Sequence, residues 1–186
     1  MTARESGRAN SQFAFSFPLK VLATMSGLLM LVLVVGWLLP GRWQVERDAL
    51  VDASPAVVFG WLEDPRRWGD WAPLGDVEAS FSGPKRGLGA TRSWDHPELG
   101  DGMFTIVATD PDRKVRYRVL VERGNLVTEG TFLLESEGEG TRVTWQESGD
   151  FGRNPLFGFL APLMNRMQGA QMEGALARLA RRVVEG

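Results

Sequence analysis

The sequence contains no cysteine and a single histidine, His96, among its 186 residues. Without cysteine no disulfide can form, so the usual clue to an oxidising or a reducing compartment is missing. Typical zinc sites draw on several Cys and His ligands, so this composition nearly excludes them. Because His96 stands beside Pro97 in a turn-like stretch, we expect a solvated side chain and predict no metal site.

Positive charge is not in excess either. Beyond residue 40 the chain has 18 Lys and Arg against 22 Asp and Glu, a formal charge of −4, which argues against a nucleic-acid surface. The nucleophile-elbow, P-loop and dinucleotide fingerprints are absent from the sequence. Gly83, Gly87 and Gly89 favour a hairpin connection over a phosphate cradle. No cofactor is therefore predicted.

One long uncharged run is present, from Val21 to Leu39. Its 19 residues would reach about 28 Å as a helix, close to the thickness of the hydrocarbon core of a bilayer. We interpret residues 1–20 as an N-terminal tail and 21–39 as a transmembrane helix. A cleaved secretory signal is an alternative, although no small-residue cleavage site ends the run. A buried core helix is the other alternative.

The orientation of this helix follows from the basic residues near its ends. Three precede the run and two follow it within a dozen residues: Arg4, Arg8 and Lys20, then Arg42 and Arg47. Because basic residues favour the cytoplasmic side, the bias predicts, weakly, a single-pass protein with its soluble domain outside the cytoplasm.

Residues 43–186 are enough for one domain with a full core. The segment Trp43–Val51 alternates apolar and polar residues, interrupted only by Arg47, and is typical of a strand. Ser54-Pro55 and Asp64-Pro65 are start signals for two short helices. Six further alternating segments predict an antiparallel meander, near residues 77–81, 90–94, 103–109, 114–122, 126–134 and 142–147.

A long helix is predicted from Pro155 to about Val184. Its apolar residues form two sets on different sides, so the two halves of the helix should face different surroundings. The sets are Leu160, Leu163, Met164 and Met167, followed by Met172, Leu176, Leu179 and Val183. Pro162 and Gly169 are places where the helix can start, kink or approach another element closely.

The segment VERDALVDASPAVVFGWLEDPRRWGDW, followed by SGPKRGLGATRSW, GDGMFTI, EGTRVTW and GALARLARRVVE, resembles the START-like (SRPBCC) superfamily, specifically its polyketide cyclase/dehydrase-like group. The resemblance implies an α+β helix-grip fold, in which a bent antiparallel sheet of about six to seven strands wraps a long C-terminal helix. It also implies an apolar cavity between sheet and helix. Most members bind lipids or other hydrophobic molecules, and the family has no universal catalytic residue.

Bulky apolar residues are the candidates to line such a cavity, together with one arginine. We assign to the inner face Arg92, Trp94, Phe104, Ile106, Tyr117, Phe132 and Trp145, and opposite them Leu163, Met164 and Met167 from the helix. The same residues would equally fill a dry core. Arg92 would hold a ligand carboxylate or headgroup, or extend its stem to the rim of the cavity.

The function expected from these observations is binding of a hydrophobic small molecule or lipid by a membrane-anchored domain. Two alternatives stay open. An enzyme on a polyketide-like substrate needs a converging acid and base, and no such pair stands out in the sequence. An interaction module needs a closed interior and an exposed apolar patch.

Overall fold

The computed structural model describes residues 12–73, 77–97, 100–121, 124 and 126–186, with side chains from residue 19 onwards. Helix α1 (Gln12–Leu38) starts inside the stretch that we interpreted as the tail, and residues 1–11 of that stretch lie outside the described residues. Leu19–Leu38 has a mean hydropathy of 2.3 and is long and apolar enough to cross a membrane. Only 6% of this stretch is buried, which excludes a buried core helix.

Seven antiparallel strands form one curved sheet, in the order β1-β7-β6-β5-β4-β3-β2. Their bounds are β1 Arg42–Val51, β2 Ser80–Ser82, β3 Thr91–His96, β4 Gly100–Asp110, β5 Lys114–Val121, β6 Leu126–Glu137 and β7 Gly140–Asp150. The first strand returns to pair with the last, so the N-terminal and C-terminal parts of the domain meet at one edge. The predicted meander is confirmed, with β2 shorter than expected and residue 122 outside the described residues.

Two short elements follow β1 and cover the inner face of the sheet. Helix α2 (Pro55–Leu62) begins at its predicted proline, and Val58 and Leu62 on it are fully buried. Instead of a second helix, a single 3₁₀ turn (Arg67–Asp70) follows and carries Trp68. Trp68 and Trp71 pack onto the sheet, and the third tryptophan of this region, Trp61, is buried as well.

The C-terminal segment is not one helix but three pieces. Helix α3 (Pro155–Gly158) is followed by a 3₁₀ turn at Ala161–Leu163 and by α4 (Met164–Glu185). Pro162 has no amide hydrogen to donate and its ring crowds the preceding turn, which favours a break at this point. The start at Pro155 is as predicted, with Asn154 accepting a hydrogen bond from the amide of Leu156.

The two apolar sets on the C-terminal segment do face different surroundings. Met172, Leu176, Leu179 and Val183 are buried against the sheet, as the second set predicts. Of the first set, Met164 packs against the core and Leu160 is half-buried, whereas Leu163 and Met167 are each 53% exposed. Met167 lies five residues before Met172, about 140° round α4 from the buried side. Our expectation that Leu163 and Met167 oppose the sheet is therefore wrong.

Candidate functional site

Arg47 explains how the long helix is fixed to the sheet. It is the residue that interrupts the apolar alternation of β1, and its guanidinium points inward to α4. There it donates to Glu173 at 2.6 Å and to the side-chain and main-chain oxygens of Asn165 at 3.0 Å each. The arginine that interrupts the sequence pattern of β1 therefore links this strand to α4 and helps to set the distance between helix and sheet.

Aromatic side chains fill most of the space beneath the helix. The Trp68 ring lies 4.1 Å from that of Phe104 and 4.9 Å from that of Trp71, centroid to centroid. Phe132 and Trp145 are each 5.9 Å from Trp71. The four predicted site residues at the centre of the sheet are at most 1% exposed: Ile106, Tyr117, Phe132 and Trp145. They lie in a packed core, so the cavity is smaller than the resemblance implied.

One apolar pocket of about 230 Å³ lies beside this core, between the sheet and the start of α4. Of the predicted site residues, it brings together Arg92, Trp94 and Phe104. The rest of its lining is Trp68, Ala72, Pro73, Val119, Val121, Thr128, Gln168 and Gln171. Val119 and Val121 continue the dry face of β5 and were identifiable from that alternation. Gln168 stands four residues before Met172 and so continues the buried side of α4, and this position was the signal for it.

The register of the sheet shows where along the strands this pocket lies. Residues that pair across six neighbouring strands form one row: Trp43, Gly149, Thr128, Val119, Phe104 and Arg92. Five strand spacings of about 4.8 Å make this row roughly 24 Å long. Because Trp43 follows the end of α1 by five residues, the pocket lies at the end of the sheet where the apolar helix joins the domain.

A larger groove of about 620 Å³ lies on the outer face of the sheet and is the weaker candidate for a ligand-binding site. It is open to solvent, and its lining includes the charged residues Arg42, Glu129 and Asp150. Arg42 donates to Asp150 at 3.3 Å, and both side chains are more than half exposed. Ligand sites are typically enclosed and apolar with few polar groups, which fits the smaller inner pocket and not this open groove.

A polar network is buried behind the pocket. Glu147 accepts the hydroxyl hydrogen of Tyr117, and the Tyr117 oxygen accepts from the indole of Trp145 at 2.7 Å. Gln168 donates to the other carboxylate oxygen of Glu147 at 2.7 Å, and Gln168 also lines the pocket. Burial raises the pKa of Glu147, and it raises the pKa of Tyr117 well above 10, helped by the carboxylate. The alternation through Trp145 placed Glu147 on the inner face, although the sequence analysis did not use it.

Replacing Glu147 with glutamine is expected to remove a pH-dependent loss of stability. Burial raises the Glu147 pKa, so above the ordinary value of 4.5 the folded state keeps a proton that the unfolded state has released. The free energy of unfolding therefore falls as the pH rises from there towards the folded pKa. Urea denaturation between about pH 4 and about pH 8 should show this fall in the parent and a smaller one in E147Q.

The half-exposed Glu129, on the outer face of the neighbouring strand, provides the control. Glu129→Gln should leave the pH profile of stability as it is in the parent protein. Parallel profiles of stability against pH for the parent and E147Q would contradict a difference in the Glu147 pKa between the folded and the unfolded chain.

Arg92 lies at the far end of the pocket row and is 6% exposed. It donates to the main-chain oxygen of Val77 at 3.1 Å, and burial lowers its pKa. An arginine keeps its proton at physiological pH in spite of such a shift, so the pocket has a cationic end. His96 is half-buried at the end of β3 and not in a turn, and it does not line the pocket.

Acid and base groups do not converge in this pocket. Its described lining residues include no Asp, Glu or His, and Gln168 stands between the pocket and Glu147. Within the described ranges, no cluster of three or more His, Asp and Glu side chains is placed to hold a metal ion. The arrangement can enclose an apolar group, with the Arg92 side chain at one end of the pocket.

A curved antiparallel sheet closed by a C-terminal helix, with a pocket between them, is the helix-grip fold of the START-like proteins. The chain belongs to the family described as polyketide cyclase / dehydrase and lipid transport, whose model matches residues 42–184. The resemblance inferred from the sequence is thereby confirmed. No curated protein matches the sequence.

Solved structures share the fold at low sequence identity. A protein from Thermobifida fusca, solved by solution NMR, is 17% identical with a TM-score of 0.59, over 75% of this chain and 92% of that one. StfQ, a di-domain ARO/CYC of the steffimycin biosynthetic pathway, is 17% identical with a TM-score of 0.58, over 77% and 51%. DynU16, a putative protein in the dynemicin biosynthetic locus, is 19% identical with a TM-score of 0.53, over 74% and 46%. The chain spans about half the length of the last two.

Proposed function

We propose that the protein is a membrane-anchored binding protein that takes an apolar small molecule or a lipid chain into the pocket between its sheet and α4. The observation that carries this proposal is the position of the pocket, whose lining residues Thr128, Val119, Phe104 and Arg92 lie in the same row across the sheet as Trp43. Trp43 stands at the start of β1, where the apolar helix joins the domain. A ligand dissolved in the bilayer would reach the pocket without crossing much water. The family description includes lipid transport, which agrees with this activity.

The anchor in this proposal is α1, kept as a membrane span and not cleaved as a signal peptide. Its candidate span ends at Leu38, and Trp37 there is half-exposed, as is common for tryptophan at a membrane interface. Arg153 of the domain lies over the Trp37 ring, 5.1 Å from its centroid. The basic residues before the span still predict, weakly, that the domain lies outside the cytoplasm.

The size of the pocket limits the affinity. At about 230 Å³ it is smaller than the roughly 300–1,000 Å³ of typical sites, so it would enclose part of a ligand. Burying about 250 Å² of apolar ligand surface would contribute roughly 6 kcal/mol before the costs of association. We therefore expect weak, exchangeable binding, which suits a carrier that must release its ligand.

Filling the pocket is expected to abolish ligand binding. The full chain is placed in lipid nanodiscs with a photoactivatable fatty acid, and crosslinks are mapped by peptide mass spectrometry. The parent should crosslink at peptides that contain Phe104 or Val119, and at α1, which serves as the internal reference. Val119→Trp places an indole in the pocket, and pocket crosslinks relative to α1 crosslinks should fall at least about tenfold, or 1.4 kcal/mol.

The matched control is Val127→Trp, on the adjacent strand but on the outer face of the sheet. It adds the same bulk and should leave the crosslink ratio unchanged. Equal ratios in the parent and V119W would contradict binding in this pocket. Absence of crosslinks at α1 would contradict the membrane anchor.

Arg92 suggests that the preferred ligand carries a negative charge. A charge-assisted hydrogen bond is worth about 1.5–3 kcal/mol, so the acid form of the probe should crosslink more strongly than its methyl ester. In Arg92→Met this preference should disappear while the ester is still bound. An unchanged preference in R92M would remove Arg92 from the site.

A further inference from the structure

Four large apolar residues of the C-terminal segment are exposed in the fold, and nothing in the proposed function uses them. Leu156 is 65% exposed, Phe159 39%, and Leu163 and Met167 53% each. We call these four residues the apolar stripe. Leu163 and Met167 are four residues apart at the start of α4 and share one side of it, and Leu156 and Phe159 stand shortly before them, in α3 and directly after it. Exposed apolar surface of this kind usually marks a contact site.

The stripe starts where the domain touches the membrane helix. A side chain placed on Gly158 would overlap the main-chain oxygen of Gly36, and one on Gly36 would overlap that of Pro155. The two backbones therefore approach closely, at a point two residues before the end of α1. If α1 spans a bilayer to Leu38, this contact lies at the depth of the lipid headgroups.

The charged residues within the segment that carries the stripe have one sign. No acidic residue occurs between Asp150 and Glu173, and the two ionisable residues in that interval are Arg153 and Arg166. The domain as a whole is acidic, with a formal charge of −4 beyond residue 40. Apolar side chains flanked by arginine suit an anionic lipid surface, to which each basic residue near the membrane adds about 1 kcal/mol of attraction.

We propose that the apolar stripe lies in the interface of the bilayer that holds α1, as a second membrane contact of this chain. The proposal rests on the membrane anchor stated above. Leu156, Phe159, Leu163 and Met167 then enter the headgroup region while Arg153 and Arg166 face anionic lipid. The pocket residue Gln168 directly follows Met167, so this contact brings the pocket to the lipid surface.

Because the sequence has no cysteine, a single introduced cysteine is the only thiol that a label can modify. A single cysteine is introduced at Leu163, labelled with the fluorophore NBD, and the full chain is reconstituted in vesicles of phosphatidylcholine and phosphatidylglycerol. Quenching is measured with nitroxide-labelled lipid and with aqueous iodide. The label at Leu163→Cys should be quenched several-fold more by nitroxide, and several-fold less by iodide, than a label at Val184→Cys.

Val184 is the matched control because it is 60% exposed near the far end of α4, about 30 Å from the start of that helix next to Leu163. A label at Met25→Cys, in the middle of the candidate span, reports on the anchor itself. If Met25 reports lipid and Leu163 responds like Val184, the stripe faces water or a protein partner and the inference is overturned alone. If Met25 also responds like Val184, the anchor and the inference are overturned together.

Discussion

Replacing Trp68 with alanine is expected to lower the free energy of unfolding by about 3–5 kcal/mol and to enlarge the pocket. Trp68 is 6% exposed, packs between Phe104 and Trp71, and donates its indole hydrogen to the main-chain oxygen of Leu62 at 3.0 Å. The alanine variant loses these contacts and leaves a void that the rigid sheet cannot close. For a chain of this size the melting temperature should fall by about 10 °C, followed by circular dichroism.

A second readout separates this prediction from simple destabilisation. Trp68 lines the pocket and covers Trp71, which is fully buried. In W68A the photoactivatable fatty acid should gain crosslinks at peptides that contain Trp71. The control is Trp37→Ala, because Trp37 is 49% exposed on α1 and lies outside the domain core. A melting temperature of W68A within about 2 °C of the parent would contradict the packing described here.

Replacing Gly130 with alanine is expected to destabilise the domain by about 3–5 kcal/mol, although only one methyl group is added. A methyl group at Gly130 would overlap the ring of Tyr117, directly opposite on β5. Tyr117 cannot move aside, since it holds Glu147 and Trp145 in the buried network. Its displacement would leave the Glu147 carboxylate and the Trp145 indole without their partner.

Gly60 in α2 provides the matched substitution. No atom lies within 4 Å of a methyl group at this position, so Gly60→Ala should be neutral or stabilise the helix by up to about 1 kcal/mol. Urea denaturation of the two variants measures the difference. Equal stability of G130A and G60A would contradict the close contact between Gly130 and the ring of Tyr117.

Much of the fold could be predicted from the sequence because local patterns determine it. The apolar alternation of KVRYRVLVE identifies β5, and the proline-marked starts locate α2 and α3. The size of the cavity could not be predicted in this way. It depends on where Trp68 and Trp71 place their rings, and the short 3₁₀ turn that directs them has no periodic pattern.

Only part of the candidate site could be predicted, because only some of its residues follow a local sequence pattern. Phe104 and Trp94 follow from strand alternation, whereas Gln168 and Gln171 are polar residues on α4 that an apolar pattern does not select. Leu163 and Met167 were placed opposite the sheet, although Met167 lies about 140° round α4 from Met172, which belongs to the buried set. Periodicity showed that the two apolar sets face different surroundings, but it did not show which set faces solvent.

Only Leu39, Pro40 and Gly41 connect α1 to β1, a link no longer than about 10 Å. With α1 embedded in a bilayer, such a short tether prevents the domain from travelling to a second membrane. A bound ligand would then be taken up and released at the membrane that holds α1, and the molecule that receives it would have to come to that membrane. The protein would not carry a ligand from one membrane to another.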